Sequence, residues 1–476
     1  MKRRDFLKLT GLLSAGATLP FYPSMRLFAA TDNYTGPLWI MIDARGGWDP
    51  TSLCDPKGYS SPTDPARVNN YSKDAIATIG KIKYAPPPDS FGLQQANYDP
   101  TLYTADTFFT KYYSQLLIVN GIDTKTNSHS DGARHCWSGE LARKGFPSIG
   151  ALIAGLLAPS RSMSYIANGG YTYTADLIVP IGMDYRGVNA LYEIAYPNRT
   201  SPKSTSSRLY FPEGTSQTME LIKTAFSARQ QRLAAQQNLQ KIKTSINKFI
   251  TSKQDSTGLK YLADNLSGTP SDGSTAPPEN TTLTRSSAKS IYQQGRIALA
   301  AYQSGVTAAA HISLGGFDTH SNHDANHYPR LMDLLQGIDA IIDEASARNL
   351  SDQIVVMVAS DFGRTPKYNG NNGKDHWPVT SMMFIGNSTQ KIEGNRVVGA
   401  TTDAFKAMNV INDSNGNFTA VPSGTTGSIH LTPAHIHRCM RRLAGIDTTN
   451  TALSLALQDG DLVYDIFTRA KLPVLL

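Results

Sequence analysis

The feature that most constrains this fold is a set of short apolar runs without alternation of polar and apolar residues. They occupy residues 37–42, 115–120, 307–314 and 353–359, with a further run at 381–385. Such runs are typical of strands buried on both faces of a parallel sheet. Helical patterns lie between and beyond them, at about 103–114, 285–304, 328–348 and 432–443. This alternation predicts an α/β fold with a parallel sheet and right-handed crossovers.

Composition indicates a globular protein and gives little reason to expect a nucleic-acid partner. Of 476 residues, 40% are hydrophobic and 17% are charged, which leaves ample apolar surface for a core. The formal net charge is +7, but the first 30 residues contribute +4, from five basic residues and Asp5. The remainder therefore carries about +3, too little to predict a nucleic-acid surface.

The first 30 residues have the layout of a twin-arginine signal peptide. Arg3 and Arg4 precede a Phe-Leu pair and Lys8, an apolar stretch follows to about residue 19, and two alanines stand at 29 and 30. This layout predicts export of the folded protein to the periplasm or the cell exterior. No later segment has 18 consecutive apolar residues, so the mature chain is expected to lack a transmembrane segment.

Residues 31–476 are expected to form a single domain. Residues 216–266 have a long helical pattern without proline, and residues 267–283 are rich in Gly, Ser, Thr and Pro. We interpret about 216–283 as a helical insertion followed by a linker or long surface loop. Residues 55–100, rich in Pro, Asn, Tyr and Ser, are expected to form surface loop.

The three cysteines, Cys54, Cys136 and Cys439, lack the C-x-x-C spacing of a structural zinc site. Three buried small side chains are the simplest interpretation. One disulfide is the alternative in an oxidising compartment, and the odd count leaves at least one thiol free.

Acidic and histidine side chains follow three of the predicted strands. In chain order they are Asp43, Asp49, Asp318, His320, His323 and Asp361, with His376 in the next loop. Because function collects beyond the carboxyl ends of the strands in such sheets, these side chains are expected to meet in one crevice. Mixed Asp and His ligands suit zinc, manganese or iron, and two such ions could clamp a phosphate or sulfate ester.

Other polar residues near these segments have structural interpretations. Asp49 and His327, taken singly, are expected to tie loops rather than to bind metal. His311 lies inside an apolar strand and is expected to be a satisfied core residue. The last three histidines are expected to pack or to lie at the surface; they are His430, His435 and His437.

A second candidate site begins the helix after the second predicted strand, and it comprises Ser128, His129 and Ser130. A serine hydroxyl there would lie in the positive end of the helix dipole, where a nearby metal could activate it as a nucleophile. Helix capping is the structural alternative. Arg45 and Arg364 could each hold an anionic group by bidentate contacts, or could form ion pairs.

Several motifs occur in an order that resembles the bacterial domain-of-unknown-function family 1501. They are the twin-arginine leader, ARGGWD, SHSDGARHCWSG, GGFDTHSNH, SDFGRT and DH. The resemblance runs from about Leu38 to Leu443 and is most specific from Gly315 to His376. It implies an alkaline phosphatase/sulfatase-like fold, a three-layer α/β/α core with metal sites at the strand ends.

The resemblance also implies roles for individual residues. The first metal-binding Asp would be Asp43, the nucleophile would be Ser128 or Ser130, and the late histidine would be His376. Asp318 with His320 or His323 would hold one divalent metal, and Asp361 would hold the other. Where phosphatase-like members place His after that last Asp, this chain has Phe362. One metal has therefore lost an imidazole ligand.

Two main functions follow as hypotheses. The first is an exported metal-dependent hydrolase of small phosphate or sulfate esters, in which Arg45 or Arg364 steadies the anion. The second is a non-catalytic envelope scaffold or binding protein that keeps the fold, which Phe362 favours. A carbohydrate-binding surface, suggested by the many Tyr and Asn residues, is a third. The oligomeric state is left open.

Overall fold

The computed structural model describes most of the chain. The described residues are 34–89, 103–184, 187–204, 206–212, 216–239, 242–243, 246–247, 250, 256–267, 277–387, 389, 391–457 and 460–472. The predicted leader and the middle of the predicted linker, residues 268–276, lie outside them. None of the described helices is long and apolar enough to cross a membrane.

The described strands are β1 Leu38–Ala44, β2 Ala77–Ile79, β3 Ile82–Tyr84, β4 Leu116–Asp123, β5 Tyr165–Ala167, β6 Pro180–Ile181, β7 Ala309–Leu314, β8 Ile354–Ala359, β9 Gly363–Arg364, β10 His376–Trp377, β11 Val379–Ile385, β12 Arg396–Val398, β13 Asn409–Asn412 and β14 Phe418–Val421. The described helices are α1 Ala105–Tyr112, α2 His129–Ser138, α3 Ile149–Leu157, α4 Gly187–Ala195, α5 Ser216–Ala235, α6 Ser256–Ser267, α7 Ser286–Gln303, α8 His323–Ala347, α9 Pro433–Leu443 and α10 Asn450–Ser454.

An eight-stranded sheet runs through the molecule in the order β12-β4-β11-β8-β1-β7-β5-β6. Strand β1 lies at its centre and pairs in parallel with both β7 and β8. Strand β11 is antiparallel to its two neighbours, β4 and β8, and the remaining neighbouring pairs are parallel. The predicted α/β fold with a mostly parallel sheet is confirmed.

Both faces of the central strand are buried, as its lack of alternation predicts. Leu38, Ile40 and Ile42 pack into a core that includes apolar side chains of α7 and α8. Trp39 and Met41 point to the other face, into a core that includes side chains of α2, α3 and α9. Helices therefore cover the sheet on both sides, which gives three layers.

The largest departures from the predicted elements lie between the sheet strands. The expected loop at 55–100 contains the hairpin β2–β3, whose two-residue turn is made possible by Gly80 at φ +57°. Within the expected insertion, α6 contributes Leu262 and Ala263 to the core. Helix α5, in contrast, exposes large apolar residues such as Leu221.

All three cysteines are buried, and none of them forms a disulfide.

His437 joins α9 to α2, because its Nε2–H donates to the carbonyl of Cys136 at 2.8 Å in a fully buried site. Burial lowers the pKa of His437 to about 3. As the pH falls, His437 therefore binds a proton near pH 6.5 in the unfolded chain but only near pH 3 in the folded chain. We expect the free energy of unfolding to fall by up to about 1.4 kcal/mol per pH unit in this window because of this group. Denaturant unfolding of a His437→Asn variant should show a shallower pH dependence than the wild type, and an equal slope would contradict this assignment.

Candidate metal centre

The carboxyl ends of three neighbouring strands, β1, β7 and β8, deliver polar loops to one edge of the sheet. Asp318 follows β7, Asp361 follows β8, and His376 begins β10. His129, the first residue of α2, reaches the same place from the loop after β4. Among the described residues, the ligand atoms of His129, Asp318 and His376 lie within 4.8 Å of one another.

Three ligand atoms form a compact triangle at this edge. Oδ1 of Asp318 lies 3.2 Å from Nε2 of His376 and 3.0 Å from Nε2 of His320. The two imidazole Nε2 atoms are 3.0 Å apart. Tetrahedral bonds of about 2.0–2.1 Å to zinc place ligand atoms roughly 3.3 Å from each other. The triangle therefore has close to the size of one face of such a coordination sphere.

Hydrogen bonds at the opposite ring nitrogens define the tautomers of these histidines. Nδ1 of His320 faces a carboxylate oxygen of Asp375 at 2.7 Å, and Nδ1 of His376 faces the carbonyl of Asn127 at 2.9 Å. Since both partners can only accept, each Nδ1 carries a proton, and in the neutral imidazole each Nε2 then presents a lone pair. Three acceptor atoms thus converge without a proton between the rings, an arrangement that fits a divalent cation such as zinc or manganese.

Arg364 holds the carboxylate of this triangle. Its Nη2 donates to Oδ1 of Asp318 at 2.6 Å, while its other donors bond the carbonyls of Gly46, Gly47 and Lys374. Partial burial would raise the pKa of Asp318, but the hydrogen bond and the positive charge of Arg364 lower it to about 2. Arg364 is fully buried, and each of its three nitrogens donates to at least one of these acceptors. It is therefore placed to orient Asp318, and of the two roles that the sequence left open, anion binding or an ion pair, the structure shows the ion pair.

His129 is a candidate site residue whose contacts with Asp361 and Asp318 the sequence did not predict. Its Nδ1 lies 2.7 Å from a carboxylate oxygen of Asp361, and its Nε2 lies 3.5 Å from Oδ2 of Asp318. The hydrogen bond to Asp361 raises the pKa of His129. The one sequence signal was its position between two candidate serines at a helix start, which drew attention to the hydroxyls instead.

The two serines lie beside His129 at the start of α2. Ser128 is the N-cap residue, but its side chain makes no capping hydrogen bond. Its Oγ lies 3.2 Å from Oγ of the exposed Ser130. The expected attacking hydroxyl therefore stays a prediction.

A cleft of about 350 Å³ reaches His129 and Asp361, although none of the three triangle residues lines it. The described residues that line it are Arg45, Gly46, His129, Gly315, Gly316 and Asp361. Arg45 is exposed; its backbone N–H donates to the carbonyl of Leu314 at 2.9 Å, but its side chain makes no hydrogen bond or salt bridge with other described residues. Its guanidinium is therefore available to an anion in the cleft, as the sequence suggested.

Asp43 was expected to bind metal but lies below the triangle. It shares a face of β1 with Trp39 and Met41, so its carboxylate points into the buried layer near α2 and α3. Neither of its oxygens has a hydrogen-bond partner among the described residues, and burial raises its pKa. Nε2 of His311 lies 3.9 Å away and is also unpaired. The expectation that the polar atoms of the buried His311 are hydrogen-bonded was wrong for Nε2.

His323, the other expected ligand, belongs to a separate buried network. Its Nε2 lies 3.1 Å from Oδ2 of Asp49 and its Nδ1 lies 2.7 Å from Oγ1 of Thr319, so both ring nitrogens are occupied. Nζ of the fully buried Lys374 lies 2.6 Å from the same Asp49 oxygen. Burial would raise the pKa of Asp49, but Lys374 and His323 lower it well below its usual range. His327 completes the network by accepting from the backbone N–H of Asp49 at 2.8 Å.

Phe362 stands beside the triangle where the resemblance implies a histidine. Its buried ring lies 4.8 Å from the ring of His129 and 4.5 Å from that of His376. A Cβ on Gly47 would lie 2.5 Å from the Phe362 ring, so the ring fills the available space. The described residues thus supply ligands for one metal more readily than for two.

Comparison with known families agrees with the resemblance over slightly less than half of the chain. Residues 184–415 match the model of a family described as "Protein of unknown function (DUF1501)". The matched range includes Asp318, His320, Asp361 and His376 but neither His129 nor Asp43. A search of curated proteins gave no match.

Solved structures that resemble this chain are alkaline phosphatases and sulfatases. The alkaline phosphatase from the Antarctic bacterium TAB5 is 11% identical, with 76% of this chain and 94% of that chain covered and a TM-score of 0.31. The PsFucS1 sulfatase from Pseudoalteromonas sp. is 8% identical, with 92% and 72% covered and a TM-score of 0.36. A 2-O GAG sulfatase is 10% identical, with 90% and 76% covered and a TM-score of 0.31. These likenesses concern the course of the chain and carry no information about activity.

Proposed function

We propose that this chain is a metal-dependent hydrolase of small anionic esters, either phosphate or sulfate esters. The observation that carries the proposal is the convergence of three acceptor atoms, from Asp318, His320 and His376, next to His129, which lines a cleft. A divalent cation bound by these atoms would act as a Lewis acid toward an oxygen of the ester.

The chain's own residues supply binding and orientation. Arg45 binds the anionic oxygens across the cleft by charge-assisted hydrogen bonds, which suit a phosphate or sulfate group. Gly46, Gly315 and Gly316 line the cleft without side chains and leave room for the ester group. Asp361 orients His129 at the opposite wall. Ser128 or Ser130 is the hydroxyl that we expect to attack.

Metal content and hydrolysis together test this proposal. The purified protein should bind one divalent ion per chain and should release aryl alcohol from a generic aryl phosphate or an aryl sulfate. A chelator should abolish hydrolysis, and added zinc or manganese should restore it. Protein that binds a metal but hydrolyses neither class of ester would contradict the catalytic part of the proposal.

Replacing Arg45 with glutamine should weaken the use of anionic substrates. Loss of a hydrogen bond to a charged group costs about 1.5–3 kcal/mol, so kcat/KM should fall roughly 10- to 100-fold. Metal content should not change, because Arg45 contacts none of the three ligand atoms. Steady-state kinetics of Arg45→Gln, beside the exposed control Arg229→Gln on α5, checks this expectation. Equal kinetics of both variants and the wild type would exclude Arg45 from substrate binding.

Export through the twin-arginine route forms part of the proposal. The support is the Arg3-Arg4 pair followed by Phe6, Leu7 and Lys8. A fusion of the first 30 residues to a reporter that is active only outside the cytoplasm should give signal. Changing both arginines to lysine should abolish that signal, and an unchanged signal would contradict this route.

A non-catalytic scaffold or binding protein is the second candidate function. Phe362 favours it, since an apolar ring occupies the position where the resemblance implies a metal-binding histidine. Such a protein would bind its envelope partner or anionic ligand without turnover. A Phe362→His variant distinguishes the two functions by its turnover of aryl esters, because only a hydrolase has a turnover that the added imidazole can change.

A further inference from the structure

Asp375 precedes His376 in the chain but contacts the other histidine of the triangle, His320. Its Oδ1 accepts from Nδ1 of His320 at 2.7 Å and from Nδ2 of Asn369 at 3.0 Å. The same Asn369 amide donates to the backbone carbonyl of His320 at 3.0 Å. The ring and the backbone of His320 are therefore both tied to Asp375 and Asn369.

This contact determines which ring nitrogen of His320 faces the triangle. The carboxylate of Asp375 accepts a hydrogen bond from Nδ1–H. In the neutral ring Nε2 therefore presents its lone pair, at 3.0 Å from Oδ1 of Asp318. Histidines that ligate metals commonly donate their other N–H to a carboxylate, which fixes the tautomer and makes the ligand more basic. We propose that Asp375 is a positioning residue that fixes His320 to bind a divalent cation through Nε2. This inference rests on the proposed metal centre.

The loop that carries Asp375 packs closely against the backbone of His320. A Cβ on Gly373 would lie 1.9 Å from the carbonyl oxygen of His320, so only glycine permits this approach. The backbone N–H of Lys374 donates to the carbonyl of Thr319 at 3.1 Å, and its ammonium group is fully buried. Asp375 is thus held in place by its neighbours, although its own side chain is 54% exposed.

Metal affinity measures this role without any assay of activity. Metal-free wild type and variants would be titrated with zinc in competition with a chromophoric chelator. The Asp375→Ala variant should raise the zinc Kd about 10- to 100-fold, the usual effect of losing such a partner. Asp375→Asn keeps an acceptor oxygen and should lose less. The matched control is Asp74→Asn, because Asp74 is exposed and distant in the sequence from Asp375. This variant should bind zinc with the affinity of the wild type.

The outcomes separate this inference from the proposal that it rests on. A wild type that binds zinc together with an Asp375→Ala variant of equal affinity would overturn the role of Asp375 and leave the metal centre standing. A wild type that binds no zinc would overturn both. The absorption spectrum of bound cobalt adds a second reading, because a displaced His320 should change it in Asp375→Ala but not in Asp74→Asn.

Discussion

Replacing Lys374 with methionine is expected to lower the free energy of unfolding by about 3–5 kcal/mol. The lysine and Asp49 are both fully buried, and their charged atoms are 2.6 Å apart. Methionine keeps much of the volume but leaves the Asp49 carboxylate without its cation in a site that water does not reach. Denaturant unfolding, with the midpoint and slope fitted together, measures the change.

The matched control for this variant lies in the same loop. Lys367 is exposed, and Lys367→Met should change the free energy of unfolding by less than about 0.5 kcal/mol. The pair can be separated from its surroundings by a double-mutant cycle with Asp49→Ala. The double variant should cost clearly less than the sum of the single variants. Additive losses would mean that the buried pair contributes no coupling, against this account.

Replacing Asp318 with alanine is expected to remove metal binding and hydrolysis together. The carboxylate supplies the oxygen that both imidazole Nε2 atoms approach, at 3.0 and 3.2 Å. The loss of metal affinity should exceed the 10- to 100-fold change that follows removal of an outer-shell partner. Metal analysis and ester hydrolysis of the same preparation measure both effects.

The change should also lower the free energy of unfolding, since the buried Arg364 loses its carboxylate partner, but Arg364 keeps its hydrogen bonds to the carbonyls of Gly47 and Lys374. Asp318→Asn provides a second variant, which preserves volume and a hydrogen-bond acceptor for Arg364. Asp74→Ala serves as the exposed control. If folded Asp318→Ala protein retained its full metal content, that result would contradict the assignment of Asp318 as a metal ligand.

The pattern of apolar runs was sufficient to predict five of the eight strands of the sheet, including the strands that deliver the site. Strand β1 begins within one residue of the predicted run, and β7 and β8 begin within two. Since neighbouring parallel strands end at one edge, it also followed that Asp318, Asp361, His320 and His376 lie there, whereas His323 and Asp43, predicted with them, point elsewhere. The roles of these residues in metal binding remain predictions.

Sequence spacing could not distinguish His320 from His323. The difference arises because α8 begins at His323, five residues earlier than predicted, and turns that ring into the buried network of Asp49. Similarly, Asp43 is the next-to-last residue of its strand, so the alternation of β1 directs it away from the triangle. Such differences depend on where a strand or helix begins, which is the least determined feature of a sequence pattern.

The contacts of Asp375 and Arg364 could not be predicted from the sequence either. Each acts through a partner distant in the chain, His320 in one case and Asp318 in the other. Only tertiary structure shows that Arg364 is buried and hydrogen-bonded within the protein instead of facing a ligand.

The most direct test of the central claim is the metal content and X-ray absorption spectrum of the wild-type protein purified without chelator. We predict one divalent ion per chain, bound by nitrogen and oxygen at about 2.0–2.2 Å, with scattering from at least two imidazoles. A protein that takes up no stoichiometric metal, or one whose metal has no imidazole neighbours, would contradict the claim that Asp318, His320 and His376 form a metal centre.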